Sequence, residues 1–359
     1  MSGPPDPLPG WISATIAAGA MPAAAWWVAE NGRVCSRGAA GHAAIEPHIA
    51  LVSEDTAFDL ASLTKPLATA VLALLLEAEG RLQLDTALGS VFPALRTTPF
   101  GGATLRDAAI HRARLPAWKP LYVAGRGEDA YVAAIAACEP QAAGETVYSD
   151  LGYMLIGFAL ERAGRKPLDV LFEERIARPL GLGTCGFPGT SRRFEHAAAT
   201  ERGNAYERRL AGEAGAGFRF RAEVIRGDVH DGNAWGLSGV AGHAGLFATA
   251  HDVAAIAQAI LEPERLGATS SVLAPMFRPA MPQPGARTFG FLLASDAESV
   301  RGILPDESVG HFGFTGTSVW IDPEHRRVYV LLTNRVHPMV PATEFTATRR
   351  AFHAAAVSV

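Results

Sequence analysis

The chain has 359 residues, of which 48% are hydrophobic and 19% charged, and its formal net charge is -4 at pH 7. The length suggests two lobes rather than one compact core, and the composition is that of a globular protein. A net negative charge without a block of Lys or Arg argues against nucleic acid as a partner.

The N-terminal segment contains neither a secretion signal nor a membrane span by pattern. Residues 1–10 are rich in Pro and Gly without a basic side chain, and the apolar stretch 12–28 is interrupted by Pro22. The cysteines are odd in number and widely spaced, which fits thiols in a reducing compartment better than disulfides or a metal site. We therefore expect a cytoplasmic protein. The cysteines are Cys35, Cys138 and Cys185.

The first predicted elements are strands. Residues 23–29 and 33–39, joined by Asn31-Gly32, have the pattern of a β-hairpin, and residues 56–60 that of a short strand. Helical patterns follow, with the first helix ended by Gly80 and a long irregular loop expected over 191–233. The predicted helices cover 68–79, 104–112, 128–137, 150–163, 167–176 and 250–261.

Strand patterns return near the C-terminus, before an amphipathic helix over 342–356. The predicted strands are 289–293, 310–314, 318–321 and 327–333, with Asp322-Pro323 as the turn between the last two. Strands at both ends predict an α+β (or α/β) fold with one antiparallel sheet built from both termini and flanked by helices. We expect a sheet domain of residues 1–60 and 285–359, and a mostly helical inserted domain of 61–284, with the site at their interface.

Ser62 and Lys65 are the most informative pair in the chain. Of the three lysines, only Lys65 has a serine three positions before it, and this spacing places both side chains on one helical face. An amine there can ease proton removal from the Ser62 hydroxyl, and free N–H groups at a helix start can stabilise an oxyanion. The alternative is that Ser62 caps the helix and Lys65 is a solvated charge.

Two further clusters carry polar groups suited to a site. Tyr148-Ser149-Asp150 precedes a predicted helix, so Tyr148 could accept a proton and Asp150 a hydrogen bond from Lys65. Asp150 could equally be the N-cap of that helix. The second cluster, 311–317, places His311, which can carry a positive charge, on a glycine-containing edge strand that substrate can approach. Its alternative is a strand ending in a glycine turn.

Together these clusters resemble the serine β-lactamase and penicillin-binding protein superfamily, and most closely its class C β-lactamase, DD-carboxypeptidase and family VIII esterase branch. The Ser-x-x-Lys of residues 62–65 is followed by Tyr148-Ser149-Asp150, similar to Tyr-x-Asn, and by His311-Phe312-Gly313, similar to Lys-Thr-Gly or His-Thr-Gly. The glycine-rich stretch 239–247 is also similar to one in these hydrolases. The resemblance runs from about residue 19 to the last helix and implies a β-lactamase-like fold.

The resemblance implies a serine hydrolase that forms an acyl-enzyme on Ser62, with Lys65 and Tyr148 sharing proton transfer and Tyr148 as the general base. It further implies an oxyanion hole from the N–H groups of Ser62 and Phe314, and electrostatic tuning of Tyr148 by His311. Neither a metal nor an organic cofactor is implied. The substrate-binding residues would be Asp150, His311, Phe312, Gly313 and Phe314.

Two departures from the family pattern bear on the substrate. Asp150 replaces the usual asparagine, and Phe312 replaces a threonine that helps to bind a substrate carboxylate, which favours neutral small esters or amides. β-Lactamase or D-alanyl-D-alanine carboxypeptidase activity is the alternative within the fold, and a catalytically silent binding protein is the alternative outside enzymes. A small-molecule ester, amide or β-lactam is thus the expected partner, and the pattern indicates no oligomeric state.

One more polar group lies in the loop region. Asp228, His230, Asp231 and His243 could be imagined as metal ligands, but flanking glycines favour local loop hydrogen bonds and a position at the rim of the site. No metal site is therefore predicted.

Overall fold

The structure is a computed structural model, and it describes residues 6–188, 194, 196–281 and 287–359. In this described part of the chain, nine strands form two sheets. The strands are β1 (Ala23–Glu30), β2 (Arg33–Ala44), β3 (Ala50–Leu51), β4 (Phe58–Asp59), β5 (Phe247–Ala248), β6 (Leu292–Leu293), β7 (Val309–Phe312), β8 (Ser318–Asp322) and β9 (Arg327–Thr333).

The main sheet has seven strands in the order β3-β2-β1-β9-β8-β7-β6, and every neighbouring pair is antiparallel. Its strands lie within residues 23–51 and 292–333, so both ends of the chain build one sheet. The central pair joins them, with Ala24 opposite Thr333 and Glu30 opposite Arg327. The antiparallel sheet expected from both termini is confirmed.

Within the described residues, twelve α-helices accompany the sheets. They are α1 (Leu8–Ala17), α2 (Val71–Ala78), α3 (Leu88–Val91), α4 (Leu105–Ala109), α5 (Gly127–Ala136), α6 (Asp150–Gly164), α7 (Leu168–Phe172), α8 (Ala205–Ala211), α9 (Gly232–Gly236), α10 (Ala250–Leu261), α11 (Ser270–Leu273) and α12 (Thr346–Ala356). Wider π-type turns cover Lys65–Ala70 and Glu173–Ala177, and 3₁₀ turns cover Ala61–Leu63, Pro93–Leu95, Leu121–Val123, Gly212–Gly215, Pro263–Leu266, Ala274–Met276 and Ala294–Asp296.

The two faces of the main sheet bury different helices, because side chains alternate along a strand. On β9, Tyr329 and Leu331 face a cluster formed with α1 and α12, whose buried residues include Leu8 and Phe352. The intervening Val330 belongs to the large core with α2, α6 and α10. Helix α10 packs directly on β1, β8 and β9. The sheet is therefore a middle layer, as in the β-lactamase-like fold that the motifs implied.

Several predicted elements are confirmed with small shifts. The hairpin β1–β2, helices α6 and α10, and strand β9 lie where the patterns placed them. The apolar helix predicted over 68–79 begins earlier, because the turn Lys65–Ala70 leads directly into α2. The boundaries of the two proposed domains, at 60/61 and 284/285, stay a prediction.

Other predicted elements are wrong in extent. Only Leu292–Leu293 of the strand predicted over 289–293 pairs, because Gly290 turns the chain at φ 100°. The segment 191–233 was expected to be irregular, but it contains α8 and the start of α9; residues 191–193 and 195 of it lie outside the described residues. Helix α1 was missed because its Pro and Gly residues read as a loop.

One helical stretch, residues 61–78, is long and apolar enough to cross a membrane by length and composition alone. Within the structure 83% of it is buried, and a core helix passes the same test, so it is weak evidence for a membrane span.

Candidate active site

Ser62 lies in a strained turn between β4 and the buried helix that follows. Ala61 has φ 48°, a left-handed conformation that non-glycine residues seldom adopt. The turn is held because Ala61 N–H donates to Asp59 Oδ1 (2.8 Å) and Leu60 N–H donates to Leu246 O (3.0 Å). Strain maintained by surrounding contacts is typical of a functional position. Ser62 is therefore fixed at a helix start, as predicted.

Lys65 lies one turn after Ser62 and is fully buried. Its Nζ lies 2.8 Å from Ser62 Oγ, 3.2 Å from His243 O and 2.7 Å from Asp150 Oδ1. An ammonium has three N–H donors, and this arrangement gives each of them an acceptor. The interpretation of Lys65 as a solvated surface charge is wrong.

Tyr148, Ser149 and Asp150 each have a distinct position. Ser149, and not Asp150, is the N-cap of α6: its Oγ accepts from Gly152 N–H at 3.4 Å and donates to Pro116 O at 2.6 Å. Asp150 is the first residue of the helix, so its carboxylate is available to pair with Lys65. The Tyr148 hydroxyl lies within hydrogen-bonding reach of Lys65 and Ser62.

The electrostatics of these groups define the resting state. Burial lowers the pKa of Lys65, but the adjacent Asp150 carboxylate and Tyr148 raise it above its ordinary value. Burial raises the pKa of Tyr148, although the Lys65 ammonium opposes this effect. At neutral pH the site therefore contains a lysine ammonium and a neutral phenol. Tyr148 must lose a proton before it can accept one from Ser62.

His311 does not carry the charge that the sequence suggested. The side chain is buried, its Nδ1 lies 2.8 Å from Phe312 O, and its ring lies 5.7 Å from the Tyr148 ring. Burial, together with Lys65 and Arg287, lowers the pKa of His311 well below its ordinary value. His311 is thus neutral at pH 7, because a second cation beside Lys65 would be poorly solvated.

The strand with the third motif packs against the Ser62 turn. Thr315 Oγ1 donates to Asp59 O (2.8 Å) and Thr317 Oγ1 donates to Leu60 O (3.1 Å). A Cβ on Gly313 would lie 2.5 Å from Leu60 O, so glycine is required there for contact within the protein. Gly313 also lines the cleft, so the expectation that substrate can approach this strand closely stays a prediction.

Strand β7 is also not the edge of the sheet. Strand β6 pairs with Val309 and Gly310 but does not extend along His311 and Phe312 in the described residues. His311, Phe312, Gly313 and Phe314 nevertheless line the same cleft as Ser62, Tyr148 and Asp150. The tertiary structure thus brings together all eight predicted site residues, while their individual roles stay predictions.

The glycine-rich stretch 239–247 supports the helix of Ser62. His243 O accepts from Lys65 Nζ, Gly242 O accepts from Thr69 Oγ1 at 2.6 Å, and Leu246 N–H donates to Thr64 Oγ1 at 3.1 Å. These bonds fix the first turns after Ser62. The glycine-rich stretch 239–247 therefore supports the site through its backbone groups.

The polar residues of the loop region are arranged in pairs. His230 Nε2 lies 3.0 Å from Glu201 Oε2, and His243 Nε2 lies 2.8 Å from Asp231 Oδ1. Asp228 pairs with Arg221. His230, Asp231 and His243 line the cleft. Within the described residues no group of three or more His, Cys, Asp or Glu is placed to hold a metal ion.

Sequence reasoning missed three basic or titratable residues of the site. Arg287 places its guanidinium 5.2 Å from the centre of the Tyr148 ring, and Arg349 lies 4.8 Å from that of Phe312. His111 Nδ1 accepts from Ser149 N–H at 3.0 Å, and the His111 ring lies 4.7 Å from the Tyr148 ring. None of them belongs to a short motif. They are recognised only because the fold brings residues that are distant in sequence together at the site.

Comparisons with known proteins agree with this geometry. A family model described as "Beta-lactamase" matches residues 9–353. A protein named "Putative D-alanyl-D-alanine carboxypeptidase" from Salmonella agona (strain SL483) is 30% identical over 93% of this chain and 83% of its own length. One of the same name from Escherichia coli (strain K12) is 31% identical over 79% of this chain and 70% of its own.

Solved structures show the same fold at low identity. A class C β-lactamase superposes with a TM-score of 0.76 at 17% identity, covering 98% of this chain and 97% of its own. EstCE1, described as a hydrolase with promiscuous acyltransferase activity, superposes with a TM-score of 0.74 at 20% identity and the same coverage.

The β-lactamase-like fold, with Ser62 and Tyr148 lining one cleft and the buried Lys65 bonded to Ser62, defines the class of this protein as a serine hydrolase. The chain belongs to the Beta-lactamase family, as the match of the family model to residues 9–353 shows.

Proposed function

We propose that the protein hydrolyses acyl substrates through a covalent acyl-enzyme on Ser62. The contact of 2.8 Å between Lys65 Nζ and Ser62 Oγ carries this proposal, since it joins a cleft-lining hydroxyl to the lysine that follows it three residues later. Three ordered motifs converge there. No other serine of the sequence has such a partner, because Lys65 alone follows a serine at that spacing.

The chemistry follows from the site groups. After Tyr148 has released its phenol proton to solvent, Ser62 Oγ attacks the substrate carbonyl while its own proton passes to the Tyr148 phenolate, and the N–H groups of Ser62 and Phe314 stabilise the oxyanion. As the tetrahedral intermediate collapses, Tyr148 gives that proton to the leaving group. Water then attacks the acyl-enzyme by the same route and releases the acid. Lys65, fixed by Asp150, keeps the Ser62 hydroxyl oriented and stabilises negative charge nearby.

The cleft favours substrates with a neutral, apolar arm. It has a volume of about 1050 Å³, which exceeds what a small ester fills. Its outer part is lined by Leu210 and Met339, which are 53% and 70% exposed, and by Tyr206, whose ring lies 4.9 Å from Phe314. Exposed apolar side chains continuous with a nucleophile indicate a contact surface for an acyl or alcohol chain. Neutral esters with such a chain are therefore the proposed substrates.

A second candidate is a carboxylate-bearing amide, and Arg349 favours it. The Arg349 guanidinium lies over Phe312, where the family pattern has a carboxylate-binding threonine, and Arg335 lines the same cleft. The curated relatives named above carry a peptidase name that fits such a substrate. Arg349 already donates to Gly313 O (2.6 Å) and Arg335 to Phe314 O (3.4 Å), so part of each guanidinium is already bonded to the backbone. Because these guanidinium groups already bond to the backbone, the neutral ester is the first candidate substrate and the carboxylate-bearing amide the second.

A side-by-side turnover assay tests the substrate class. We expect p-nitrophenyl esters to be hydrolysed with a higher kcat/KM than a chromogenic cephalosporin or a D-Ala-D-Ala peptide. A cephalosporin or peptide turned over faster than every ester would replace the first candidate with the second.

A fluorophosphonate probe separates an enzyme from a silent binding protein of the same fold. Only an activated serine labels quickly, and labelling should disappear in Ser62→Ala. A wild-type protein that resists the probe and turns over no ester would support the silent alternative.

We also propose a cytoplasmic location. Cys35 is an exposed thiol outside any disulfide, which suits a reducing compartment. Fractionation of cells that express the native gene tests this, and recovery of the protein in a periplasmic or membrane fraction would contradict it.

A further inference from the structure

A positive charge beside Tyr148 is needed if a neutral phenol is to serve as a base. The residue that the family resemblance assigned to this task, His311, is buried and neutral. Lys65 is one cation near the Tyr148 ring, at 4.9 Å from its centre, but the Asp150 carboxylate 2.7 Å away neutralises much of its field. The Asp150 carboxylate therefore offsets part of the Lys65 charge that acts on Tyr148, and the three sequence motifs supply no further cation.

Arg287 supplies a further positive charge beside Tyr148. Its guanidinium lies 5.2 Å from the centre of the Tyr148 ring and lines the cleft with Ser62. In the part of the chain that the structure describes, no carboxylate pairs with it, unlike Lys65. A guanidinium stays protonated throughout the pH range in which the protein would work. Its charge thus acts on the Tyr148 ring without an acidic partner to offset it.

The backbone holds Arg287 in place. Ala280 N–H donates to Arg287 O at 2.8 Å, and Arg287 bridges to Leu292, at the start of β6. Strand β6 in turn pairs with Gly310, next to His311. The residue therefore sits on a turn attached to the strand of the third motif, which fixes the charge relative to the site.

We propose that Arg287 is the positioning residue that stabilises the phenolate form of Tyr148, the task that the sequence pattern had given to His311. This inference rests on the proposed function of Ser62 and Tyr148. The Tyr148 hydroxyl releases one proton to solvent, and the resulting phenolate takes the proton of Ser62 Oγ as that oxygen bonds to the substrate carbonyl carbon. The re-formed phenol then protonates the leaving group, so atoms and charge balance.

Among the residues that the structure describes, six charged or titratable groups face Tyr148 and affect its pKa. They are Lys65, Asp150, His111, His311, Tyr153 and Arg287. His111 is neutral at pH 7, because burial lowers its pKa well below the ordinary value. Tyr153 is also neutral, because burial raises its pKa. The charged neighbours of Tyr148 are therefore Lys65, Asp150 and Arg287, and Arg287 is the one without an opposite charge.

The pH profile of kcat/KM for a neutral ester, p-nitrophenyl butyrate, tests the proposal in Arg287→Gln, Arg287→Lys and His311→Gln. We expect Arg287→Gln to move the acidic limb to higher pH and to lower kcat/KM about tenfold at pH 7, the effect of one pKa unit. Arg287→Lys should restore most of the loss, and His311→Gln should leave the limb in place. Circular dichroism and thermal melting show whether each variant is folded.

The proposal is overturned if a folded Arg287→Gln protein keeps its acidic limb at the wild-type pH. It is also overturned if His311→Gln shifts the limb as far as Arg287→Gln does. A matched pair of butyrate esters, one with and one without a carboxylate on the alcohol, tests whether Arg287 binds substrate instead. If Arg287→Gln raises KM only for the charged ester and leaves the acidic limb at its wild-type pH, Arg287 is a binding residue. If Arg287→Gln does not fold, the pH of the acidic limb is measured in Arg287→Lys, and it must differ little from that of the wild type. Activity that persists in Ser62→Ala would overturn the proposed function itself, independently of Arg287.

Discussion

The Asp150 carboxylate lies 2.7 Å from Lys65 Nζ in a position where one partner is completely buried and the other 18% exposed. This pair explains how a lysine ammonium can exist in the protein core. It also accounts for a departure from the family pattern, since an aspartate in place of asparagine makes the local charge neutral. The pair keeps Lys65 protonated and so leaves the general-base task to Tyr148.

Asp150→Asn should destabilise the protein at neutral pH, because it leaves a buried ammonium without its anion. Removal of one partner of a buried pair costs about 3–5 kcal/mol, and we expect about 3 because Asp150 is partly exposed. The pKa of Lys65 is raised in the folded state, so the stabilisation is fully present below its ordinary pKa of 10.5 and is lost as pH rises through the folded value. Urea unfolding across this range should show the deficit narrowing at alkaline pH.

Glu174→Gln is the matched control for this variant. Glu174 pairs with Lys166 on the surface, 2.6 Å from its Nζ, and loss of an exposed pair should change stability little. An Asp150→Asn protein as stable as Glu174→Gln at pH 7 would mean that Lys65 is neutral in the fold.

Ser62→Ala should abolish acyl-enzyme formation and lower turnover by a factor of about 10³ or more, leaving only binding and oxyanion stabilisation. Intact-mass spectrometry after ester or fluorophosphonate treatment measures the adduct. Ser13→Ala is the control, since Ser13 is exposed on α1 and bonds only to Pro9 O. A stable adduct on the Ser62 variant would place the nucleophile elsewhere.

Tyr148→Phe should fold normally and lose turnover about 10²–10⁴-fold, because only the proton-transferring hydroxyl is removed. Tyr153→Phe is its control: the Tyr153 hydroxyl donates to Ala109 O at 3.0 Å and takes no part in the proposed chemistry. We expect that control to retain activity while its stability falls by about 1 kcal/mol. Near-normal ester turnover in Tyr148→Phe would leave proton transfer to Lys65.

Phe312→Thr should shift selectivity toward carboxylate-bearing substrates. The change restores a hydroxyl and removes a ring that packs 4.8 Å from the Arg349 guanidinium and 5.5 Å from Trp320. A charge-assisted hydrogen bond is worth about 1.5–3 kcal/mol, so the ratio of cephalosporin to ester kcat/KM should rise about ten- to a hundredfold. A ratio that does not change would show that Phe312 does not determine substrate charge.

Leu210→Glu should raise KM for p-nitrophenyl octanoate about tenfold and leave the acetate ester unaffected. Full burial of a leucine side chain is worth about 1.5–3 kcal/mol, so covering the exposed half of Leu210 gains about 1 kcal/mol, which a carboxylate removes while adding a desolvation cost. Leu51→Glu is the control, because Leu51 is 77% exposed and lies in β3, away from the cleft. Equal effects on both esters, or the same effect in Leu51→Glu, would remove the apolar arm from the proposed substrate.

The sequence predicted those parts of the molecule that depend on neighbours along the chain. Asn31-Gly32 placed the hairpin, because those residues suit its turn, and a run of apolar residues placed β9. Ser62 and Lys65 were identified because three-residue spacing is set by the helix itself. The motif order then identified the Beta-lactamase family without any knowledge of contacts.

Tertiary structure decided the charges and the distant partners. His311 could be charged or neutral by sequence, and its burial beside Lys65 decided for the neutral form. Asp150 could cap a helix or pair with a lysine, and Ser149 took the cap. Arg287 belongs to no motif and reaches Tyr148 only because β6 pairs with β7. Desolvation and long-range pairing depend on the whole fold, so short sequence patterns do not encode them.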